Sequence, residues 1–360
     1  MENASTFVKP VVMEGHGAYN RNSQVQASGS SPAVPMLERA AGLATIPEEP
    51  QQVVIADYGS SEGHNSLALL QTAIKVLRQR IGQERAISVV HTDLPENDFT
   101  VLFRTLNTSS ESYLKTDAAC FASAVGRSFY EQILPSDSVT LGWSSWAVQW
   151  LSRAPTPIPD QVQVAYCKDA AVRSAFFQQA AEDWDLFLTM RARELCPGGR
   201  LAILTMATDD NGDFGYRGVL DAMYEALVEL VDCGFILGEE LHRMAIPTVG
   251  RSRRDLLAPF GADGRFGELR VEEAEVFFSE DHIWLEFEQQ RDAERFGAQW
   301  AAFSRTSVFP TMASSLDGGG TGPRAAEFFE RLERGMAARL AAKPEPMLIP
   351  LGRVLVAKAS

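Results

Sequence analysis

An acid and two glycines follow a hydrophobic run at residues 53–66, which read VVIADYGSSEGHNS. Asp57 ends the run, Gly59 and Gly63 lie in a turn of small residues, and Asn65 leads into a helical pattern. Glycine adopts backbone angles that other residues resist and leaves room for a ligand to approach closely. A second hydrophobic stretch ends at Asp93, where a carboxylate can accept hydrogen bonds from both hydroxyls of a ribose. The pattern predicts a nucleotide-type site at the ends of two strands.

The spacing of these residues distinguishes three kinds of nucleotide ligand. A dinucleotide requires Gly-x-Gly-x-x-Gly, whereas these glycines are spaced Gly-x-x-x-Gly and Glu62 would repel a phosphate. A Walker loop requires Gly-Lys-Ser/Thr, which this segment lacks. S-adenosylmethionine has no phosphate, and Asp57 and Asn65 suit its ammonium and carboxylate groups. The competing interpretation is structural, in which Asp57 only caps the turn after the strand.

Two tryptophans, Trp146 and Trp150, follow another strand pattern in the segment DSVTLGWSSWAVQW. They lie four residues apart, so on a helix they would share a face. Core packing is the ordinary explanation for such an aromatic stripe, and for Trp143 as well. Their place just after the carboxyl end of a strand favours a ligand-binding role, because ligands of doubly wound sheets bind at that end.

No group of residues in the sequence indicates metal or nucleophilic catalysis. The four cysteines include no Cys-x-x-Cys pair, and the five histidines include no pair at i and i+4. Arg251, Arg253 and Arg254 form a basic run, which fits a solvated or salt-bridged surface loop better than an anion site. The scattered cysteines, and an N-terminal segment unlike a secretory signal, favour reduced thiols and a cytoplasmic protein.

Composition limits the partners of the chain. Its 360 residues are 45% apolar and 22% charged, as in an ordinary soluble protein. Acids outnumber bases by 47 to 33, and the resulting net charge of −14 argues against binding to a nucleic-acid backbone. No run of about 18 apolar residues occurs, so the sequence predicts no membrane span. These features disfavour nucleic-acid and membrane partners.

Alternating strand and helix patterns begin at residue 51. Short connections between them predict an α/β fold with a doubly wound, Rossmann-like parallel sheet. The predicted organisation is an N-terminal arm at residues 1–50, a cofactor-binding core at 51–206 and 321–360, and a helical cap at 207–320. The arm contains one short helix near residues 36–43, strand signals in the cap are weak, and the closing segment PMLIPLGRVLVAKA predicts one or two strands.

Several separated blocks, taken in order, resemble the SABATH (salicylate/benzoate/theobromine) family of S-adenosylmethionine-dependent carboxyl methyltransferases. The blocks are MEGHGAYNRNSQVQ, IADYGSSEGHNS, DLPENDFTVLFRTL, GRSFYEQILPSDSVTLGWSSWAVQWLSRAP, LCPGGRL and the dipeptide Ile246–Pro247. The resemblance extends from about residue 13 to the C-terminus. It implies a methyltransferase fold with a helical cap, S-adenosylmethionine as cofactor, S-adenosylhomocysteine as product, and a homodimer.

The resemblance also implies roles for individual residues. Gln26 and Trp150 would donate hydrogen bonds to the carboxylate of the acceptor, with Trp146 and Gln149 beside them. Trp146 stands where the family usually has Tyr and Gln149 where it has His or Met, so the family leaves the acceptor's identity open. The wall that a Trp-bearing helix forms in many members has no counterpart around Tyr216 and is left unassigned. The implied cofactor-binding residues are Tyr19, Ser23, Asp57, Gly59, Asn65, Asp93, Leu94, Ser128 and Phe129.

The implied reaction is in-line attack of a carboxylate on the sulfonium methyl group, giving the methyl ester of a small aromatic, indolic or isoprenoid-type acid. A carboxylate is ionised near neutral pH, so the reaction requires positioning rather than a general base. N-methylation of a heterocycle stays open as an alternative, because Gln149 could position a ring. A protein that binds cofactor and ligand without turnover also stays open, because Glu62 lies in the cofactor turn.

Overall fold

The computed structural model describes residues 10–13, 29 and 31–360. Its strands are β1 (Val53–Tyr58), β2 (Ile87–Asp93), β3 (Cys120–Gly126), β4 (Val139–Ser145), β5 (Leu195–Met206), β6 (Arg265–Phe266), β7 (Leu269–Ser279) and β8 (Ile349–Lys358). All eight belong to one sheet with the order β3-β2-β1-β4-β5-β8-β7-β6.

Strands β1 to β5 pair in parallel and confirm the predicted α/β fold. Their hydrophobic runs are almost wholly buried in β1, β2 and β4, as is typical of parallel strands. The strand order reverses at β1, which has β2 on one side and β4 on the other. In such sheets the loops after the two flanking strands diverge and leave a crevice at their carboxyl ends.

Helices connect the strands and add a layer beside the sheet. They are α1 (Val34–Leu43), α2 (His64–Ile81), α3 (Phe99–Thr108), α4 (Tyr113–Thr116), α5 (Ala170–Glu194), α6 (Arg217–Asp232), α7 (Gly238–Arg243), α8 (Arg253–Leu257), α9 (His282–Gln290), α10 (Ala293–Ser307), α11 (Phe309–Ala313) and α12 (Pro323–Ala342). Helix α1 begins two residues before the predicted helix and packs against α2 and β5. Among these helices, none has the length and apolar character needed to cross a bilayer.

The added helical layer is built from α6, α10, α11 and α12, and α12 packs against the other three helices. Large apolar side chains fill the space between them, including Trp300 of α10 and Phe328 and Met336 of α12, all fully buried. The layer therefore includes residues on both sides of residue 321.

Strands β6 and β7 lie in the segment whose strand signals are weak. β7 pairs antiparallel with β8, which pairs antiparallel with β5, so the sheet continues beyond its parallel part. Acids interrupt the hydrophobic alternation of LRVEEAEVFFS, and arginines of β5 and β8 pair with them. Arg200 Nη2 lies 3.1 Å from Glu272 Oε1, and Arg353 Nε lies 3.1 Å from Glu273 Oε1. Tertiary pairing thus stabilises a strand that its own pattern only weakly indicates.

Candidate active site

A cavity of about 310 Å³ lies at the carboxyl ends of β1, β2 and β4, which we call the nucleoside cavity. Its volume is at the lower end of the range for small-molecule sites, about 300–1,000 Å³. Residues 10–13 also line it, together with the loop that follows β3. Five of the predicted cofactor-binding residues line the cavity, namely Gly59, Asp93, Leu94, Ser128 and Phe129.

The turn after β1 requires glycine at two positions. Gly59 has φ +85°, and a Cβ there would lie 2.4 Å from Ala147 Cβ. Gly63 has φ +86°, and a Cβ there would lie 2.5 Å from Leu102 Cδ1. Both positions therefore combine a left-handed backbone with close packing, which only glycine tolerates. The Gly59 amide donates to the Thr92 carbonyl at 2.9 Å, which fixes the turn to the end of β2.

Asp93 presents its carboxylate where β2 ends. Its Oδ2 accepts a hydrogen bond from the Ser61 amide at 2.7 Å, and its Oδ1 accepts from the Leu94 amide at 2.7 Å. Burial removes water from the carboxylate and raises its pKa to about 6, although the two amide hydrogen bonds act in the opposite direction. The negative charge of Asp57 adds to the increase. The ionised carboxylate keeps lone pairs that can accept further hydrogen bonds.

Asp57 and Asn65 line neither of the cavities described here. Asp57 is buried, and its Oδ2 lies 2.9 Å from His91 Nδ1. His91 Nε2 lies 2.9 Å from the Tyr113 hydroxyl, so the three side chains form a buried row of polar contacts. This row lies behind the turn at residues 59–63, which we call the glycine turn. Asn65 is half-buried in the first turn of α2, and Glu62 is buried in the turn before it.

Trp146 and Trp150 lie in a turn after β4 rather than on a helix, so they do not share a helical face. Trp146 has φ +54°, and its amide donates to the Leu204 carbonyl at 3.0 Å. The Gln149 side chain closes this turn, because its Nε2 donates to the Trp146 carbonyl at 2.6 Å. Its Oε1 accepts from Thr205 Oγ1 at 3.2 Å. Trp143, by contrast, is fully buried within β4.

We call residues 146–150 the tryptophan turn, and segment 246–251 holds this turn from its other side. The Leu151 amide donates to the Pro247 carbonyl at 2.7 Å, and the Val249 amide donates to the Gln149 carbonyl at 2.9 Å. Arg251 Nη1 donates to the Val148 carbonyl at 2.7 Å, and its Nη2 donates to the Ala180 carbonyl at 2.9 Å. The prediction of a surface loop is thus wrong for Arg251, which is only 2% exposed.

The other two arginines of this run, Arg253 and Arg254, are exposed as predicted. Arg251 is buried, unlike these two residues, because its guanidinium donates to carbonyl groups that are distant in sequence. The spacing of the three arginines does not indicate those partners.

A second, smaller cavity of about 70 Å³ adjoins the first, and we call it the inner chamber. Trp146, Trp150 and Met13 line both cavities, and Gln149 lines the inner chamber. Its remaining walls are mainly aromatic and aliphatic, from residues after β5 and from α6 and α10, including Phe214, Tyr216, Val219, Leu220, Met223 and Phe303.

Sequence reasoning left this wall unassigned at Tyr216. The available signal was that residues 214–223 follow the carboxyl end of β5, the same edge that carries the other site residues.

A buried ion pair fixes the loop that carries Ser128 and Phe129. Arg191 and Glu194 of α5 are fully buried, and Arg191 Nη2 lies 2.8 Å from Glu194 Oε1. Arg191 Nη1 also donates to the Phe129 carbonyl at 2.7 Å. The Tyr58 hydroxyl donates to Glu194 Oε2 at 2.7 Å, and the surrounding burial raises the pKa of Tyr58 well above its ordinary value. Tyr58 thus contributes to the support of the loop.

Three of the predicted site residues, Tyr19, Ser23 and Gln26, lie outside the described residues. Within the described part of the chain, no group of three or more His, Cys, Asp or Glu side chains could hold a metal ion.

Comparisons with known proteins find similar chains. Residues 9–351 match the family described as SAM dependent carboxyl methyltransferase. Salicylate carboxymethyltransferase of Clarkia breweri is 30% identical over 276 residues, covering 74% of this chain and 76% of that protein. Anthranilate O-methyltransferase 2 of Zea mays is 27% identical over 325 residues, covering 84% and 86%. A solved structure of loganic acid methyltransferase with SAH shares the fold, with a TM-score of 0.77 at 22% identity, covering 98% of this chain and 99% of that one.

Proposed function

Because this chain belongs to the family of S-adenosylmethionine-dependent carboxyl methyltransferases, we propose that the nucleoside cavity binds the cofactor and the inner chamber binds a small carboxylic acid. The protein is an enzyme that methylates small carboxylic acids with S-adenosylmethionine. The bound cofactor supplies a sulfonium methyl group, to which a carboxylate oxygen bonds as the bond to sulfur breaks. One observation carries the assignment of the two cavities: they meet at Trp146 and Trp150, where the two ligands would face each other.

The residues of the nucleoside cavity suit S-adenosylmethionine. The Asp93 carboxylate suits the ribose hydroxyls, and Leu94 and Phe129 offer apolar surface for a purine. Gly59 lines this cavity, and its left-handed backbone shapes the turn that borders it. Among the described residues that line this cavity, none is lysine or arginine, as suits a nucleoside without phosphate.

We assign the methionine end of the cofactor to the glycine turn. Asp57 and Asn65 flank that turn, and the hydrogen bond from His91 restricts the orientation of the Asp57 carboxylate. Ser128 would complete the nucleoside contacts beside Phe129. Tyr19 and Ser23 would close over the cofactor, an assignment supported by residues 10–13, which already line the cavity a few positions earlier.

The acceptor's carboxylate would lie at the junction of the two cavities. There Trp150, and Gln26 from the arm, would each donate one hydrogen bond to a carboxylate oxygen. Neutral donors orient the carboxylate while holding it less tightly than an arginine would. Trp146 and Gln149 would shape the space around the acceptor. The apolar walls exclude water and strengthen these contacts.

A methyl-transfer assay tests this function. Labelled S-adenosylmethionine is incubated with a panel of carboxylic acids and purines, and base-labile methyl esters are separated from base-stable products. Trp150→Phe keeps the aromatic ring and removes the indole donor, so ester formation should fall sharply. Trp284→Phe is the matched control, because Trp284 is also half-buried but lines neither cavity. Gln26→Ala should lower the rate as Trp150→Phe does.

Each other outcome rejects part of the proposal. Label in base-stable purine products would favour N-methylation. Cofactor binding without transfer to any acid would favour a binding protein. Equal rates in Trp150→Phe and Trp284→Phe would remove Trp150 from the acceptor site.

The homodimer, the cytoplasmic location and the division into arm, core and cap stay proposals. The scattered positions of the four cysteines, with no Cys-x-x-Cys pair, support the proposed compartment. Light scattering on the purified protein tests the dimer, and a monomer at micromolar concentration would refute it.

A further inference from the structure

Two residues that line the inner chamber carry polar atoms that the described part of the protein does not satisfy. Within the described residues, the Tyr216 hydroxyl and the Trp146 indole nitrogen are buried without a hydrogen-bond partner. Tyr216 is 3% exposed and Trp146 is 6% exposed, and both line the chamber. Buried polar groups normally find partners, so an unsatisfied group beside a cavity suggests that a ligand supplies one.

Other polar side chains of the chamber are already engaged. Both ends of the Gln149 amide are bonded within the protein, as described above. Gln163 donates from Nε2 to the Thr248 carbonyl at 2.8 Å and accepts the Ala165 amide at 2.6 Å. Ser304 Oγ donates to the Trp300 carbonyl at 3.0 Å. Besides the Trp150 indole, the Tyr216 hydroxyl and the Trp146 indole nitrogen are therefore the candidates for polar contacts with a ligand in the chamber.

We propose that the chamber selects an aromatic acid that carries a hydroxyl or amino group on the ring edge opposite its carboxylate, and that this group bonds to the Tyr216 hydroxyl. The inference rests on the proposed function, which places the carboxylate at the junction formed by Trp146 and Trp150. Tyr216 lines the chamber but not the nucleoside cavity, so it contacts the part of the acceptor farther from the cofactor.

Aromatic neighbours hold the Tyr216 ring in place. The ring stacks on Phe303 at 6.3 Å between centroids with an interplanar angle of 7°, and meets Trp300 edge-on at 6.1 Å. Phe214 lies 5.5 Å away on a tilted plane. A fixed hydroxyl discriminates better between isomers of a ligand than a mobile one, because the ligand's partner must come to it.

The size and charge of the chamber restrict the acceptor further. A volume of about 70 Å³ leaves no room for an extended isoprenoid chain within the chamber. Among the described residues of its lining, none carries a charge, so a second carboxylate would have no counter-ion. Burial, with a contribution from the charge of Asp281, raises the pKa of Tyr216, which keeps its hydroxyl neutral.

The test compares benzoic acid with its 2-hydroxy, 3-hydroxy and 4-hydroxy derivatives as acceptors. The parent enzyme should give a kcat/KM for the 3- or 4-hydroxy acid about tenfold above those for benzoic acid and the 2-hydroxy isomer. Tyr216→Phe should remove that advantage, so that the ratio of kcat/KM for the 3- or 4-hydroxy acid to kcat/KM for benzoic acid falls to about one. Tyr224→Phe is the control, because this tyrosine is half-buried on α6 and lines neither cavity.

The outcomes separate this inference from the proposed function. The inference would be overturned if all four acids gave esters at similar kcat/KM, or if Tyr216→Phe lowered kcat/KM equally for all of them. Either result would leave the proposed carboxyl methylation in place. No ester from these four acids, with ester formed from another acid of the panel, would likewise overturn the inference, whereas no ester from any acid of the panel would refute the proposed function. If Tyr216→Phe fails to fold, calorimetric affinities of the parent for the four acids, with S-adenosylhomocysteine present, give the same comparison. Equal affinities would overturn the inference.

Discussion

At the scale of single residues, the site depends on side chains whose ionisation and orientation are set by backbone groups. Asp93 is the clearest case, because two amides bind its carboxylate while burial raises its pKa to about 6. The ionised form accepts hydrogen bonds from hydroxyl groups, whereas the protonated form loses one acceptor site. Cofactor binding should therefore depend on pH in a range where an ordinary aspartate does not titrate.

We predict that the affinity for S-adenosylhomocysteine falls by up to about fourfold between pH 7.5 and pH 5.5, as Asp93 takes up a proton. Asp93→Asn should bind more weakly and lose this pH dependence. The exposed neighbour Glu96 gives the control Glu96→Gln, which should keep it. Isothermal titration calorimetry across this range measures both effects. An unchanged pH profile in Asp93→Asn would contradict the prediction.

The free energy of unfolding of the cofactor-free protein should respond to pH in the opposite direction from cofactor affinity. Because the pKa of Asp93 is higher in the folded chain than in the unfolded one, its contribution to the free energy of unfolding increases as the pH falls through about 6. Lower pH therefore weakens cofactor binding. This weakening does not come from a loss of folding stability caused by Asp93.

At the scale of elements, the tryptophan turn is held by segments distant in sequence rather than by regular secondary structure. Arg251 connects the turn to α5 through the carbonyls of Val148 and Ala180, which are 103 and 71 residues away in the chain. This guanidinium lies in the protein interior, where burial lowers its pKa. Its purpose is therefore structural, since it positions the turn that carries Trp150.

We predict that Arg251→Met lowers the free energy of unfolding by about 1–3 kcal/mol, because at least one buried carbonyl loses its partner. The turn should also become less well ordered, so kcat should fall more than cofactor affinity. Arg253→Met, at an exposed position of the same run, should change neither quantity appreciably. Urea denaturation and steady-state kinetics measure the two effects. A loss of stability with normal kcat would show that Arg251 does not position Trp150.

At the scale of the whole molecule, the N-terminal segment reaches the site by way of the helical layer. The Val11 amide donates to Thr311 Oγ1 of α11 at 3.2 Å, joining positions 300 residues apart. Val11 also lines the nucleoside cavity, so the same residue contacts both the cavity and the helical layer. Cofactor affinity should therefore depend on a residue that lines neither cavity.

We predict that Thr311→Val, which preserves shape and removes the hydroxyl, weakens S-adenosylhomocysteine binding about three- to tenfold, corresponding to one lost hydrogen bond. Thr189→Val provides the control, since the Thr189 hydroxyl donates only to the carbonyl one turn earlier on exposed α5 surface. Calorimetry measures the affinities, and thermal unfolding checks that both variants fold. Equal affinities in the two variants would refute a role for this link.

The sequence predicted those features that depend on local pattern. The glycine turn, Asp93 with Leu94, and Ser128 with Phe129 all follow strand ends, and the structure brings these residues to one cavity. Features that depend on distant partners were missed. Arg251 is buried because remote carbonyls accept its hydrogen bonds, and β7 forms because it pairs along its length with β8, while Arg200 and Arg353 also pair with its acids. Tyr216 lines the chamber because α6, which it precedes, packs on α12.

The shared position of Trp146 and Trp150 gives the protein a built-in optical reporter. Both indoles line the nucleoside cavity and the inner chamber, so filling either one replaces solvent around the same two fluorophores. Three of the other tryptophans, Trp143, Trp184 and Trp300, are buried in the core, and Trp284 packs against Phe287 and Phe296. Their emission forms a nearly constant background. Intrinsic fluorescence can therefore follow the arrival of cofactor and acid in a single unlabelled titration.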